Sequence, residues 1–170
     1  MGRVADKLNA LTVDVTSPDA DIQARLKAGQ LEHLRLRPGA YDSYAERDLE
    51  RQLARTAVLL YVGHERGVRR VLDQTNLHFP TEPSQARNEA QRRYLEKERT
   101  ISVCGSTPRE LVRFKINGMA AWRCRIADGA LQELTESAFV AEVCAAARDL
   151  LRRNKYEKAL LKYECFGVKP

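Results

Sequence analysis

One pattern occurs twice in this chain. Residues 11–73 can be laid over residues 100–163, and the best-matched stretch is a pair of short strands. In the first copy it reads Ile22-Gln23-Ala24-Arg25-Leu26-Lys27-Ala28, then His33-Leu34-Arg35-Leu36-Arg37. In the second it reads Leu111-Val112-Arg113-Phe114-Lys115-Ile116, then Trp122-Arg123-Cys124-Arg125-Ile126. The overlay sets Arg25 on Arg113, Lys27 on Lys115, His33 on Arg123 and Arg35 on Arg125. Side chains of a strand alternate between its two faces. Each copy therefore predicts a sheet with an apolar face and a basic face.

The flanking sequence completes the repeat. Residues 1–10 are expected to form a short helix, and residues 11–15 alternate as a strand. Ser17-Pro18-Asp19 turns the chain into strand two, Gly29-Gln30 turns it into strand three, and Pro38-Gly39 ends that strand. Ser43 and Glu46 have the spacing of a capping box. A long helix follows, with Leu49, Leu53, Ala57 and Leu60 on one face and Val68, Val71 and Leu72 continuing it. Gly63 and Gly67 inside it predict a bend or a close approach, since each weakens a helix by up to about 1 kcal/mol relative to Ala. Pro80 and Pro83 break the chain between copies. Ser84 reads as the N-cap of a helix to about Arg99. The second copy then repeats the plan, with a hairpin turn at Asn117-Gly118, a terminator at Asp128-Gly129, and a last helix from Thr135 or Glu136. Phe139, Val143, Ala147 and Leu150 fall on Leu49, Leu53, Ala57 and Leu60. The reading is α+β: two tandem αβββα units, each a three-stranded antiparallel meander packed on a long helix. The expected divisions are a first unit at 1–76, a linker at 77–83, a second unit at 84–165 and a loose tail at 166–170.

Composition bounds the function. Units of roughly 65–75 residues are marginal alone, so the two are expected to close on each other as a pseudo-dimer or to meet a second chain. A hydrophobic fraction of 44% is enough for a packed core. There is no run of 18 apolar residues, hence no expected membrane span. Asp6, Lys7 and Asn9 interrupt any signal-peptide core, which points to the cytoplasm. The net charge of +6 favours anionic partners. Cys104, Cys124, Cys144 and Cys165 lack zinc-knuckle spacing and are expected among apolar neighbours. His33, His64 and His78 stand beside no nucleophile motif. No Gly-rich phosphate loop or His-Glu-x-x-His is present. The expectation is a protein without metal, cofactor or catalytic function. Trp122 falls on the apolar side of its strand and is expected to fill core.

This αβββα unit resembles the YbaB/EbfC family of small bacterial nucleoid-associated proteins. The resemblance is carried by Val112-Arg113-Phe114-Lys115-Ile116-Asn117-Gly118, Cys124-Arg125-Ile126-Ala127-Asp128 and Phe139-Val140-Ala141-Glu142-Val143. In the first copy, Leu34-Arg35-Leu36-Arg37-Pro38 stands at the strand-to-helix exit. It implies binding of double-stranded DNA with little sequence preference, a nucleoid location, and a tandem chain that does what a homodimer does in the family. Similar units associated with actinobacterial type VII secretion imply an alternative, an adaptor that docks an acidic protein partner.

Two groups of residues are candidates for the anionic contact. The first is the basic sheet face: Arg25, Lys27, His33, Arg35 and Arg37, with Arg113, Lys115, Arg123 and Arg125. Like charges paired across strands destabilise a sheet by up to about 1 kcal/mol each, so such a face is either shielded by acids or used. The second group lies late in each long helix: His64, Arg66, Arg69 and Arg70, then Arg148, Arg152, Arg153, Lys155, Lys158 and Lys162. Cations near a helix C-terminus are also favoured by its dipole. The mixed-charge segment with Arg92, Arg93, Glu96 and Lys97 reads as a solvated helix face.

Overall fold

The computed structural model describes residues 2–75, 80–118 and 121–167, with residues 2 and 3 as backbone only. His78 and part of the expected linker and tail lie outside the described residues. The elements follow in the order α1 (Gly2–Asn9), β1 (Thr12–Thr16), β2 (Ile22–Lys27), β3 (Gln30–Leu36), α2 (Ala40–Ser43) and α3 (Glu46–Asp73). A 3-10 turn (Pro83–Gln85) leads to α4 (Glu89–Glu98), β4 (Ser102–Ser106), β5 (Val112–Asn117), β6 (Ala121–Ile126), α5 (Ala130–Glu133) and α6 (Glu136–Phe166). The strands form two antiparallel sheets, β1-β2-β3 and β4-β5-β6. The α+β class and both meanders agree with the sequence reading.

Several helix starts differ from expectation. Gly39 and Gly129, at φ 79 and 82, turn the chain out of β3 and β6 into the short helices α2 and α5. Ser43 closes α2, donating to the Ala40 carbonyl at 2.8 Å, so no capping box forms. The long helix α3 starts after Ala45, whose side chain has no oxygen to cap it. Asn88, not Ser84, caps α4 by accepting from the Gln91 amide at 2.8 Å. Ser84 is held in the 3-10 turn that Pro83 opens. Thr135 does cap α6, accepting from the Ala138 amide at 3.3 Å. Phe166 belongs to α6 rather than to a tail, and its ring lies 5.7 Å from that of Tyr94 on α4.

The strand register corrects the overlay of the copies. Ile22 pairs with Leu36 as Val112 pairs with Ile126, and Thr16 pairs with Gln23 as Ser106 pairs with Arg113. Arg25 therefore corresponds to Lys115, and Gln23 to Arg113. The sequence overlay slipped by two in this strand. A two-residue slip returns every side chain to its own face, so alternation alone does not reveal it. In the first copy a two-residue turn at Ala28 and Gly29, both with positive φ, joins β2 to β3, and a bulge after Arg25 absorbs one residue. In the second copy the turn is longer, with Asn117 paired to Ala121, and β6 has no bulge.

The buried residues of both copies form one cluster, from Ile22, Leu34 and Leu49 to Phe114, Phe139 and Leu150. The helix α3 packs on β1 and β2 but most extensively on β6 of the other copy, while α6 packs on β4, β5 and β3. Tyr41 ties the copies at one end: its hydroxyl donates to the carbonyls of Leu131 and Leu134 at 3.2 and 3.0 Å. Its ring lies 5.5 Å from that of Phe139.

Helix and sheet approach closely in both copies, by opposite devices. In the first, the glycines lie on the helix: a Cβ at Gly63 would stand 2.5 Å from Val13, and one at Gly67 would stand 2.5 Å from Leu11. In the second, the glycine lies on the strand, where a Cβ at Gly105 would stand 2.3 Å from the Leu150 backbone nitrogen. Backbone cannot swing aside as a side chain can. Gly105→Ala is therefore expected to lower unfolding free energy by about 3 kcal/mol in a denaturant titration, the upper range for overpacking. Gly39→Ala meets open space and should cost only the left-handed backbone penalty, about 1 kcal/mol.

Candidate functional site

The outer faces of the two sheets differ although their strands repeat. On the first sheet Arg25 pairs with Asp14 at 2.6 Å, across the β1–β2 ladder. Glu32, the residue displaced outward by the bulge, lies 3.9 Å from both Arg25 and Lys27. Arg37 pairs with Asp21 at 2.5 Å. Of the residues expected to form a basic face here, Arg35 and the half-buried His33 carry no ion pair among the described residues. The first basic face is thus largely neutralised. The acids responsible sit on neighbouring strands and a turn, at sequence distances that the local pattern does not connect.

The second sheet keeps its charge. Arg113 stands directly opposite Arg125, and Lys115 opposite Arg123. All four are exposed, and the strands β4, β5 and β6 carry no Asp or Glu. Arg113 reaches Glu110 at 2.9 Å, at the end of the preceding turn. Arg125 is 3.8 Å from Glu50 of α3 and remains 72% exposed. Lys115 and Arg123 have no ion pair among the described residues. Alternate residues along a strand are about 7 Å apart and neighbouring strands about 5 Å apart, so four cations occupy a compact quadrilateral.

Two carboxylates from the long helices hold the edges of this sheet. Glu50 of α3 accepts from the Ile126 amide on β6 at 2.8 Å, and Asp149 of α6 accepts from the Ser106 amide on β4 at 3.2 Å. Both side chains are only 13% exposed. Burial alone would raise the Asp149 carboxyl; hydrogen bonds from Arg152, the Ser106 amide and Arg153 outweigh it and hold the group below its usual range. The positions of Glu50 and Asp149 in the opposite copy are Val140 and Leu59, so the first sheet lacks both holds.

The helix group fares differently from expectation. Arg69 and Arg70 do lie exposed near the end of α3. Arg152 and Arg153 are not near a helix end, because α6 continues to Phe166. They pair with Asp149 at 2.7 and 2.8 Å and serve the β4 edge. On α4, Arg93 and Lys97 both reach Glu164 of α6, so this helix is anchored and not merely solvated. Cys124 and Cys144 are buried as expected. Cys104 is exposed on the outer face of β4, directly across from Lys115. Among the described residues no three His, Cys, Asp or Glu side chains gather as a metal site. No described helix is long and apolar enough to cross a membrane. Compared with family models, curated proteins and solved structures, the chain matches none.

The depressed Asp149 carboxyl has a pH signature. A group whose folded pKa is lowered contributes stability above its unfolded value and loses it as pH falls through the folded value. Asp149→Asn should lower unfolding free energy at pH 7 by about 1.5–3 kcal/mol, the range for a hydrogen bond to a charged group. The difference from the parent protein should shrink as pH drops below about 4. Urea titrations at pH 7 and pH 3 check this; a difference of equal size at both would show that the charge is not the cause.

Proposed function

We propose that this is a non-enzymatic DNA-binding protein of the nucleoid-associated kind, located in the cytoplasm, that grips the phosphate backbone through the outer face of β4-β5-β6. The two αβββα halves act together as an intramolecular pseudo-dimer, with a single working face. The observation that carries the reading is the opposed pairs Arg113–Arg125 and Lys115–Arg123 on a face free of acidic strand residues. Each directly opposed like-charge pair costs the sheet a fraction of a kcal/mol. The first sheet avoids that cost, setting Gln23 opposite Arg35 and Arg25 opposite His33; in the second, Glu110 and Glu50 meet Arg113 and Arg125, and the Lys115–Arg123 pair is left for an external anion to relieve. Arg and Lys aimed at phosphates position a protein on a duplex without reading sequence. The phosphate contact rests on this face, and the nucleoid-associated kind rests on the resemblance of the strands.

Neutralising phosphates releases counterions, so affinity should fall steeply with salt, by about 0.9 logarithmic units per contact per decade of salt. Fluorescence anisotropy on random duplex DNA at several salt concentrations tests the reading. Lys115→Ala with Arg123→Ala should weaken binding and flatten the salt slope by roughly 2. The same change on the first sheet, Arg25→Ala with Lys27→Ala, should alter the slope by less than half as much. No binding at low micromolar protein and low salt would remove the proposal.

Cys104 offers a second check on the parent protein. Its thiol lies on the proposed face, whereas Cys124 and Cys144 are buried. Saturating duplex DNA should slow its alkylation several-fold, read by mass spectrometry, and leave Cys165 little changed. Equal rates with and without DNA would place the nucleic acid elsewhere.

A protein-docking reading draws on another surface. Tyr156, Leu160 and Tyr163 are 61, 40 and 49% exposed along one side of α6, at helical spacing. Such a stripe favours an adaptor with an apolar contact; it does not call on the basic sheet face.

A further inference from the structure

The two long helices make no extensive contact with each other. Between them, above the inner faces of both sheets, lies a cavity of about 500 Å³ that is partly open to solvent. This is within the range of about 300–1,000 Å³ typical of small-molecule sites. Its walls are graded. Along α3 the lining runs from buried Leu53 and Thr56 through Leu60 to half-buried Tyr61 and His64 and exposed Glu65. Along α6 it runs from buried Val143 and Leu150 to Asn154, then to Lys155, Lys158 and Lys162. Both helices therefore pass from apolar to polar in the same direction along one slot.

Two details distinguish this cavity from a packing gap. Asn154 is 8% exposed, and its side-chain oxygen has no hydrogen-bond partner. An unpaired buried polar atom costs about 1–3 kcal/mol, and the residue that carries it lines the cavity. The second detail is the charge at the mouth. Lys158 is paired with Glu98 at 2.9 Å, and Glu65 adds one negative charge. Lys155 and Lys162 have no ion pair among the described residues, so the mouth is net positive. His64 adds little to that charge: burial pushes its pKa below the ordinary value.

From the graded walls, the unpaired Asn154 and the unmatched lysines, we infer that this cavity binds a linear amphiphile with one anionic headgroup, apolar end between Leu53 and Val143 and headgroup between Lys155 and Lys162. The inference is independent of the DNA reading, since it uses the inner faces of the sheets.

The chain has a single tryptophan, and Trp122 is on the cavity wall with its ring 5.9 Å from that of Tyr61. Its fluorescence is a built-in reporter. Decanoate and decyl phosphate are titrated below their micelle-forming concentrations, with decanol as the uncharged match. At least one anion should give a saturable change in emission, at an affinity tenfold or more above that of decanol. Which anion binds better tells a carboxylate ligand from a phosphate ligand. Lys155→Ala with Lys162→Ala lies on the exposed mouth; it should erase the preference over decanol and leave decanol binding intact. Ala147→Phe, placed in the apolar end of the cavity, should abolish the response to all three, with circular dichroism confirming the fold. No saturable change with either anion overturns the inference. So does equal affinity for decanol and the anions, or an unaltered response in the lysine variant.

Discussion

Each long helix lies across the third strand of the opposite copy, and the rest of the molecule depends on that exchange. The helix α3 covers β6 and α6 covers β3. Neither copy buries its own apolar sheet face without the other's helix, which accords with the marginal core of a unit this size. The exchange also brings Glu50 to the Ile126 amide at the β6 edge, and Tyr41 of α2 reaches the carbonyls of Leu131 and Leu134 at α5. Edge strands with open hydrogen-bonding groups invite pairing with other chains; here a neighbouring helix occupies part of that edge.

Within this shared frame the two sheets differ in a consistent way. The first sheet carries its own counter-charges, Asp14 and Glu32, and its outer face is close to neutral. The second has no acid on its strands, and its carboxylates sit at the edges, where Glu50 and Asp149 bind backbone amides. Glu110 and Glu50 also meet Arg113 and Arg125, and Lys115 and Arg123 carry no ion pair among the described residues. An extended strand places cations on one face at fixed spacing, and the two edge carboxylates keep that spacing rigid. The same exchange that makes the sheets stable holds α3 and α6 apart and leaves the graded cavity between them.

Much of the fold was legible because it is periodic. Alternation marks the strands within a residue or two, and Leu49, Leu53 and Leu60 and Phe139, Val143 and Leu150 mark the apolar faces of α3 and α6. Helix starts were less legible. Ser43 and Ser84 have the right chemistry for caps, but Gly39 and Pro83 had already turned the chain, so the helices began elsewhere. The pairing of Arg25 with Arg113 failed for a different reason: the missing turn residue is made up by a bulge, and a slip of two leaves the face pattern unchanged.

The sequence by itself determined the duplication, the α+β class and which side chains face outward, because these follow from local periods of two and 3.6 residues. Tertiary structure alone decided which basic face is free. Charge on a face is set by what stands across the ladder and what the bulge turns outward, and Asp14, Glu32 and Glu50 lie on different elements from the cations they meet. It alone decided the roles of Asp149, Arg152 and Arg153, which look like a basic helix patch until the β4 edge is placed beside them. The cavity was invisible for the same reason. Asn154 and Lys155 are ordinary helix residues until α3 is set opposite them, and no period along one chain segment records the distance between two helices.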